Sequence, residues 1–166
     1  AQSPDRYLPD LAATLVRLAT FLREQNRDLD ALNANMEGLK ILRGLAEKNP
    51  ESHKPHMAMT LNSLAVIQRD QGRGEDARKS SEEALRIYRS LTTENTERYQ
   101  PYVAVTLENL SVLHREQNHS GEARKIYEEL VATYRSLAAR DPQTYLPDVA
   151  LLLNQLGDFH REARRE

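Results

Sequence analysis

The chain has 166 residues, and its 23 Lys and Arg against 25 Asp and Glu give a formal net charge of −2. This balance does not favour a general nucleic-acid binder, which needs a basic surface. The sequence has no cysteine, which removes disulfides, thiol catalysis and thiolate metal sites. It also has no apolar run of the roughly 18 residues that cross a membrane. We therefore expect neither nucleic acid nor a membrane as a partner.

The first predicted helix begins at Pro9, because proline fits the first turn of a helix, where its missing N–H has no bond to lose. Asparagine tolerates the left-handed conformation that ends many helices. We therefore expect this helix to end near Asn26, after about 17 residues. A second helix is predicted over residues 29–48. The apolar residues of the first helix follow one another at helical spacing: Leu11, Leu15, Leu18 and Leu22.

The same pattern recurs at intervals of 46 residues, so the chain alternates four first helices (A helices) with three second helices (B helices). Gly72 and Asn118 repeat the helix-ending position of Asn26, and further B helices are predicted over residues 75–94 and 122–140. Four columns of the A helices keep their register through the whole chain. They are Pro9, Pro55, Pro101 and Pro147; Ala12, Ala58, Ala104 and Ala150; Leu15, Leu61, Leu107 and Leu153; Leu18, Leu64, Leu110 and Leu156.

A repeat of this length without strand signals predicts an all-α solenoid of antiparallel helix hairpins, with seven helices. A lone hairpin cannot bury its apolar face, so stacking on neighbouring hairpins supplies the core. We predict a single domain over residues 1–166, with three full repeats at about 7–49, 53–95 and 99–141 and a partial repeat at 145–166. We expect the apolar residues of the last A helix to lack a covering B helix, so that the native chain continues or this end contacts another molecule. They are Leu152, Leu153, Leu156 and Phe159.

The units resemble the tetratricopeptide repeat family. The motifs that carry the resemblance are Leu61-Asn62-Ser63-Leu64-Ala65, Gln71-Gly72-Arg73, Glu75-Asp76-Ala77 and Ala84-Leu85-Arg86-Ile87-Tyr88, then Leu107-Glu108-Asn109-Leu110-Ser111, Gly121-Glu122-Ala123 and Tyr127. The proline-led opening of each A helix is similar to the kinesin-light-chain type, whose units exceed the usual 34 residues. The resemblance implies a right-handed superhelix whose A helices line a groove that binds peptides or partner helices. It also implies that a catalytic role is rare.

One stripe of each A helix is expected to face the core, and another to face the groove. If Leu61 points to the core, Leu64, Ala65 and Gln68 lie within about 60° of it around the helix axis, at 100° per residue. The second stripe lies about 80–160° away, and the resemblance implies that it faces the groove. The candidate binding residues are Arg23, Met59, Asn62, Val66, Arg69, Val105, Glu108, Asn109, Val112, Arg115, Asn154 and Arg161. Corresponding positions of the outer units hold Ala13, Val16, Thr20, Leu151 and Asp158.

The arginines of this stripe recur every 46 residues and have two interpretations. Arginine suits carboxylate or phosphate recognition, because its planar fork donates two parallel hydrogen bonds. The column therefore favours an acidic protein or peptide ligand. The alternative is pairing between repeats, because an acid follows each arginine: Glu24 after Arg23, Asp70 after Arg69, Glu116 after Arg115 and Glu162 after Arg161.

No arrangement of residues in the sequence indicates catalysis or a cofactor. His114 and His160 share a column, but a metal site needs third and fourth ligands nearby, and none is apparent. His53 and His56 flank Pro55 in a predicted junction, where their spacing is poor for a metal. There is no nucleophile with a base and an orienting group, no phosphate loop and no paired carboxylates. We therefore expect neither an enzyme nor a metal or cofactor in this segment.

The sequence favours a protein-interaction scaffold that holds a peptide or partner helix in the groove, within a larger signalling or assembly protein. We expect a cytoplasmic location. One alternative is a structural spacer or self-associating module that forms homo-oligomers through the C-terminal helix. Another is a regulatory module of an enzyme whose catalytic domain lies outside these 166 residues.

Overall fold

The computed structural model of the protein describes residues 4–162, and the side chains of residues 6–157 and 161. A short 3₁₀ helix, Pro4–Tyr7, precedes the α-helices. No strand occurs in the described range. The predicted all-α fold of seven helices arranged in hairpins is confirmed. The helices are α1 (Leu8–Glu24), α2 (Asp28–Lys48), α3 (Pro50–Asp70), α4 (Gly74–Glu94), α5 (Thr96–Glu116), α6 (Ser120–Ala138) and α7 (Pro142–Glu162).

Residue contacts divide the chain into two compact units, Ala1–Ile87 and Tyr88–Glu166, with the division inside α4. In the first unit α1 packs on α2 and α3, and α2 packs on α3. In the second unit α5 packs on α6, and α6 packs on α7. Helices therefore contact their neighbours along the chain, as the hairpins of repeat proteins do. The single-domain assignment and the repeat limits stay predictions.

The turns between each A helix and its B helix have the predicted left-handed residue. Asn26, Gly72 and Asn118 have φ values of 57°, 72° and 58°. In all three turns the N–H of the following residue bonds back to the carbonyl five residues earlier, at 2.8–2.9 Å. This bond satisfies a carbonyl that the end of a helix otherwise leaves unpaired. The three B helices begin one or two residues before the predicted positions.

The later A helices are longer than predicted. α1 has 17 residues, whereas α3, α5 and α7 each have 21. The prediction that proline opens each A helix holds for Pro9, but it is wrong for Pro55, Pro101 and Pro147, which lie inside their helices. Each of these prolines is the sixth residue of its helix. At that position a proline removes only one backbone hydrogen bond near the helix end.

A column of capping residues sets the true start of the long A helices. The side chains of Asn49 and Asn95 accept hydrogen bonds from N–H groups three residues on, at 3.3 and 3.0 Å. Asp141 accepts in the same way from the N–H of Thr144 at 3.2 Å. Hydrogen bonds from Thr144 lower the pKa of the Asp141 carboxyl. These caps satisfy N–H groups of the first turn, so the helix begins before the proline.

The core follows the predicted columns. Leu61, Leu64, Ala65 and Gln68 are all buried, as expected for the core stripe of α3. A column of small residues on the B helices is fully buried: Ala31, Ala77 and Ala123. Tyr88, Tyr127 and Tyr134 are also buried, as expected for packing residues of B helices.

The last A helix differs in part from its prediction. Leu152 was expected to be uncovered, and that expectation is wrong because the side chain is buried in the second unit. Leu153 is 40% exposed, as expected, and Leu156 is half-buried. Phe159 lies outside the described side chains.

Candidate functional site

One column of the A helices is apolar and exposed in every repeat. Its members stand 46 residues apart on α1, α3, α5 and α7 and belong to the stripe predicted to face the groove: Ala13, Met59, Val105 and Leu151. The exposed fraction is 47% for Met59, 47% for Val105 and 57% for Leu151. The alanine column one residue before it is buried in the first three repeats. Core packing therefore does not explain why this column is apolar.

The first unit has a cleft of about 270 Å³ between α1 and α3 at this column. The cleft brings together Ala13, Val16 and Met59, which the sequence analysis assigned to the groove. His53 and His56 also line it. The prediction that these histidines lie in a junction is wrong, because the cap at Asn49 extends α3 over them. The remaining lining residues are Pro9, Asp10, Leu42, Ser52 and Thr60.

The arginines of the first unit share one carboxylate at the end of the same stripe. Arg23 Nη1 lies 3.7 Å from Asp70 Oδ2, and Arg69 Nη2 lies 3.1 Å from Asp70 Oδ1. Pairing between repeats, the alternative that the sequence left open, is therefore present here. All three side chains are about a third exposed or more, and surface pairs of this kind stabilise a fold by about 0–1 kcal/mol. Asn62 and Val66 lie half-buried between the cleft and these charges.

In the second unit two stripe residues contact tyrosines of the neighbouring B helix. Tyr134 donates a hydrogen bond of 2.6 Å to Glu108 Oε1, and Arg115 Nη1 donates one of 3.3 Å to the Tyr127 hydroxyl. Burial, and then the hydrogen bond to Glu108, raise the pKa of Tyr134. The stripe of α5 therefore borders α6, and Val105 remains its exposed apolar member.

The other candidate binding residues of the second unit are partly or fully exposed. Asn109 and Val112 are half-buried on α5. Asn154 and Arg161 are exposed on α7. Asp158 belongs to the same predicted stripe, but its side chain lies outside the described range. Candidate binding residues of each unit are thus at least partly accessible to a ligand.

The described side chains include no group of three or more His, Asp or Glu residues that could hold a metal ion. The ring of His114 is buried and lies 5.8 Å from that of His119. Its column neighbour His160 lies outside the described side chains. No described helix combines the length and the apolar character that crossing a membrane requires.

Sequence reasoning missed the hydroxyl partners of Glu108 and Arg115 and the place of His53 and His56 in the cleft. A signal for the histidines was present, because Asn49 and Asn95 repeat at the 46-residue interval and asparagine is a preferred cap. The tyrosine partners had no such signal. They depend on how one helix is rotated against the next.

Comparison with known proteins agrees with this architecture. Residues 56–136 match the tetratricopeptide repeat family. The crystal structure of BtubC (BKLC) from P. vanneervenii is similar, with a TM-score of 0.76 and 25% sequence identity over 93% of this chain. This chain spans only 57% of that protein's chain. No curated protein sequence matches.

Tetratricopeptide repeats generally mediate contacts between proteins, and their helical-repeat fold is typical of non-catalytic scaffolds. The predicted resemblance to this family is confirmed over residues 56–136.

Proposed function

We propose that the protein is an interaction scaffold that binds a peptide or a partner helix along the stripe of its A helices. The exposed apolar column carries this proposal, because each repeat keeps an apolar residue at a position that is exposed and not part of the buried core. Burial of such side chains against a ligand supplies about 25 cal/mol per Å² of apolar area. An apolar column flanked by polar groups is the surface that an amphipathic ligand needs.

The polar residues of the stripe determine which charge on the ligand is preferred. Arg23 and Arg69 place two cations around the single carboxylate of Asp70. Two guanidinium groups that share one carboxylate favour an acidic group on the ligand as a further partner. The half-buried amide of Asn109 offers a further hydrogen-bonding group in the second unit. The proposal includes no catalytic step, and a cytoplasmic site of action and a role within a larger assembly are part of it.

A display selection from a random peptide library on the purified protein tests this proposal. Selected peptides should lose at least about tenfold in affinity for Met59→Glu, equivalent to about 1.4 kcal/mol. Met36→Glu is the matched control, because Met36 is similarly exposed, at 52% against 47% for Met59, but lies on the B helix α2. Affinity should change less than about twofold for the control. Equal losses in both variants, or a loss only in Met36→Glu, contradict the groove assignment.

A further inference from the structure

The cleft between α1 and α3 contains one carboxylate. Among the described residues that line the cleft, Asp10 is the only Asp, Glu, Lys or Arg. Asp10 lies in the first turn of α1, and its side chain is exposed. Its carboxylate forms no ion pair with any side chain that the structure describes. The cleft therefore presents an unpaired negative charge to a ligand.

The other polar groups of the cleft leave mainly hydrogen-bond acceptors for a ligand. His56 Nδ1 lies 3.2 Å from the carbonyl oxygen of Ser52, and because a carbonyl only accepts, Nδ1 carries the proton and donates. The neutral ring then keeps Nε2 as an acceptor. Thr60 donates its hydroxyl proton to the carbonyl oxygen of His56 at 2.8 Å. The Ser52 hydroxyl and the His53 ring can accept as well as donate. Two donors that line the cleft are thus already used inside α3.

Apolar side chains form much of the wall of the cleft. They are Ala13 and Val16 of α1, Leu42 of α2 and Met59 of α3. Lysine and arginine are the side chains that combine an aliphatic stem with a charged end group that only donates hydrogen bonds. The walls therefore suit the stem of such a side chain, and the unpaired acceptors suit its end group.

From the unpaired carboxylate and the donors already used, we propose that the cleft is a specificity pocket for one basic side chain, lysine or arginine. This side chain belongs to the peptide or partner helix of the proposed function, on which the inference rests. Its ammonium or guanidinium group pairs with Asp10 and donates to His56 Nε2. Its stem packs on Val16 and Met59.

The candidate binding stripe then has opposite charge preferences at its two ends. Arg23 lies 13 residues after Asp10 on α1, and Arg69 lies 13 residues after His56 on α3. At about 1.5 Å per residue, each separation is about 20 Å. Because arginine only donates, the far end of the stripe selects an acidic group.

The ligand therefore carries a basic and an acidic residue about 20 Å apart. This distance corresponds to about six residues of an extended peptide, at about 3.3 Å per residue, or to about 13 residues of a helix. The reversed ligand would place like charges together at both ends of the stripe. The two ends thus also determine the direction in which the ligand binds.

A small probe tests the cleft without knowledge of the natural ligand. N-acetyl-lysine methylamide should shift the ring proton signals of His56 in nuclear magnetic resonance spectra at about pH 8, where histidine is neutral. The signals are assigned with His56→Gln. The affinity of this amide should exceed that of N-acetyl-norleucine methylamide, which has the same stem without the ammonium group, by at least about threefold. Asp10→Asn should abolish the difference.

Glu51→Gln is the matched control for Asp10→Asn. Glu51 is also an exposed acid in the first turn of an A helix, but it does not line the cleft. The control variant should therefore keep the preference for the lysine amide. Equal affinities of the two amides for the parent protein, no saturable shift with either, or equal losses in both variants would overturn the proposal.

Display-selected peptides test the same pocket within the candidate binding stripe. In peptides that Met59→Glu weakens, changing one Lys or Arg to norleucine should cost at least about tenfold in affinity for the parent protein, and less than about twofold for Asp10→Asn. Glu at that peptide position should restore binding to Asp10→Lys. If Met59→Glu weakens the peptides but no basic residue matters, the pocket assignment is wrong and the scaffold proposal stands. If the peptides do not depend on Met59 but the lysine amide still requires Asp10, the scaffold proposal is wrong and the pocket assignment stands.

Discussion

The hydroxyl of Tyr134 on α6 donates a hydrogen bond of 2.6 Å to Glu108 Oε1 on α5. The bond joins an A helix to the B helix of the same repeat, at the border of the candidate binding stripe. Tyr134 also lies near α7, with its ring centroid 6.0 Å from that of Tyr145. One side chain thus connects three helices of the second unit, and it holds Glu108 in place beside the exposed Val105.

Removal of this hydroxyl should destabilise the protein. Hydrogen bonds to charged groups contribute about 1.5–3 kcal/mol, and partial exposure of Glu108 reduces that to about 1–2 kcal/mol for Tyr134→Phe. Chemical denaturation followed by helical circular dichroism measures the change. Tyr145→Phe is the control, because its ring belongs to the same cluster, and should cost less than about 0.5 kcal/mol. Similar losses in both variants would show that the hydrogen bond contributes nothing beyond ring packing.

High pH should unfold the protein through its buried tyrosines. Burial raises the pKa of Tyr88 and of Tyr134 above the ordinary value of 10.0. The folded state therefore holds these protons more tightly than the unfolded state does. The resulting stability is fully present below pH 10.0 and is lost as the pH rises above it. Tyrosinate absorbance and circular dichroism, recorded in one titration, should change together for these two residues.

Tyr88→Phe should move the midpoint of alkaline unfolding to higher pH, because one proton that favours the folded state is no longer released on unfolding. Tyr102→Phe is the control. It keeps the ring that stacks on Tyr88, with centroids 5.2 Å apart, and removes the hydroxyl of an exposed side chain. It should leave the midpoint unchanged. A midpoint that moves equally in both variants contradicts the assignment to burial.

Alanine substitutions at two adjacent serines of α4 should change the stability of the protein in different directions. Ser80 is buried and bonds to the Gln68 side-chain oxygen at 2.7 Å, whereas the fully buried hydroxyl of Ser81 has no partner among the described atoms. Ser80→Ala leaves the Gln68 oxygen unpaired and should cost about 1–2 kcal/mol. Ser81→Ala removes an unsatisfied group and should be neutral or stabilise by up to about 1 kcal/mol. Thermal unfolding of the two variants gives the comparison, and a larger loss for Ser81→Ala contradicts it.

The charge of the candidate binding stripe should govern the affinity of the protein for acidic peptides. The double variant Arg69→Glu, Arg115→Glu should weaken an acidic ligand while helical circular dichroism stays intact, because both side chains are partly exposed. Asp70→Asn should strengthen the same ligand, since it releases Arg23 and Arg69 from their shared carboxylate. Both effects should shrink as salt rises. Affinity that is independent of all three changes rules out the arginines as ligand contacts.

The sequence by itself determined the number of helices, the left-handed turn at Asn26, Gly72 and Asn118, and the buried columns around Leu61. These features follow from local rules: helical periodicity selects the buried face, and few residues tolerate a positive φ. The sequence also contains the residue that caps the start of α3, Asn49. The predicted start was placed at Pro55 instead, because proline is the more familiar signal of a first helical turn.

Only the tertiary structure decided which side chains meet across helices. The shared carboxylate of Asp70, the bond from Tyr134 to Glu108 and the cleft beside Met59 depend on how each helix is rotated and offset against its neighbour. A 46-residue period fixes which positions are equivalent, but it does not fix these offsets. Packing of whole side chains sets them, because a protein interior tolerates neither voids nor overlaps.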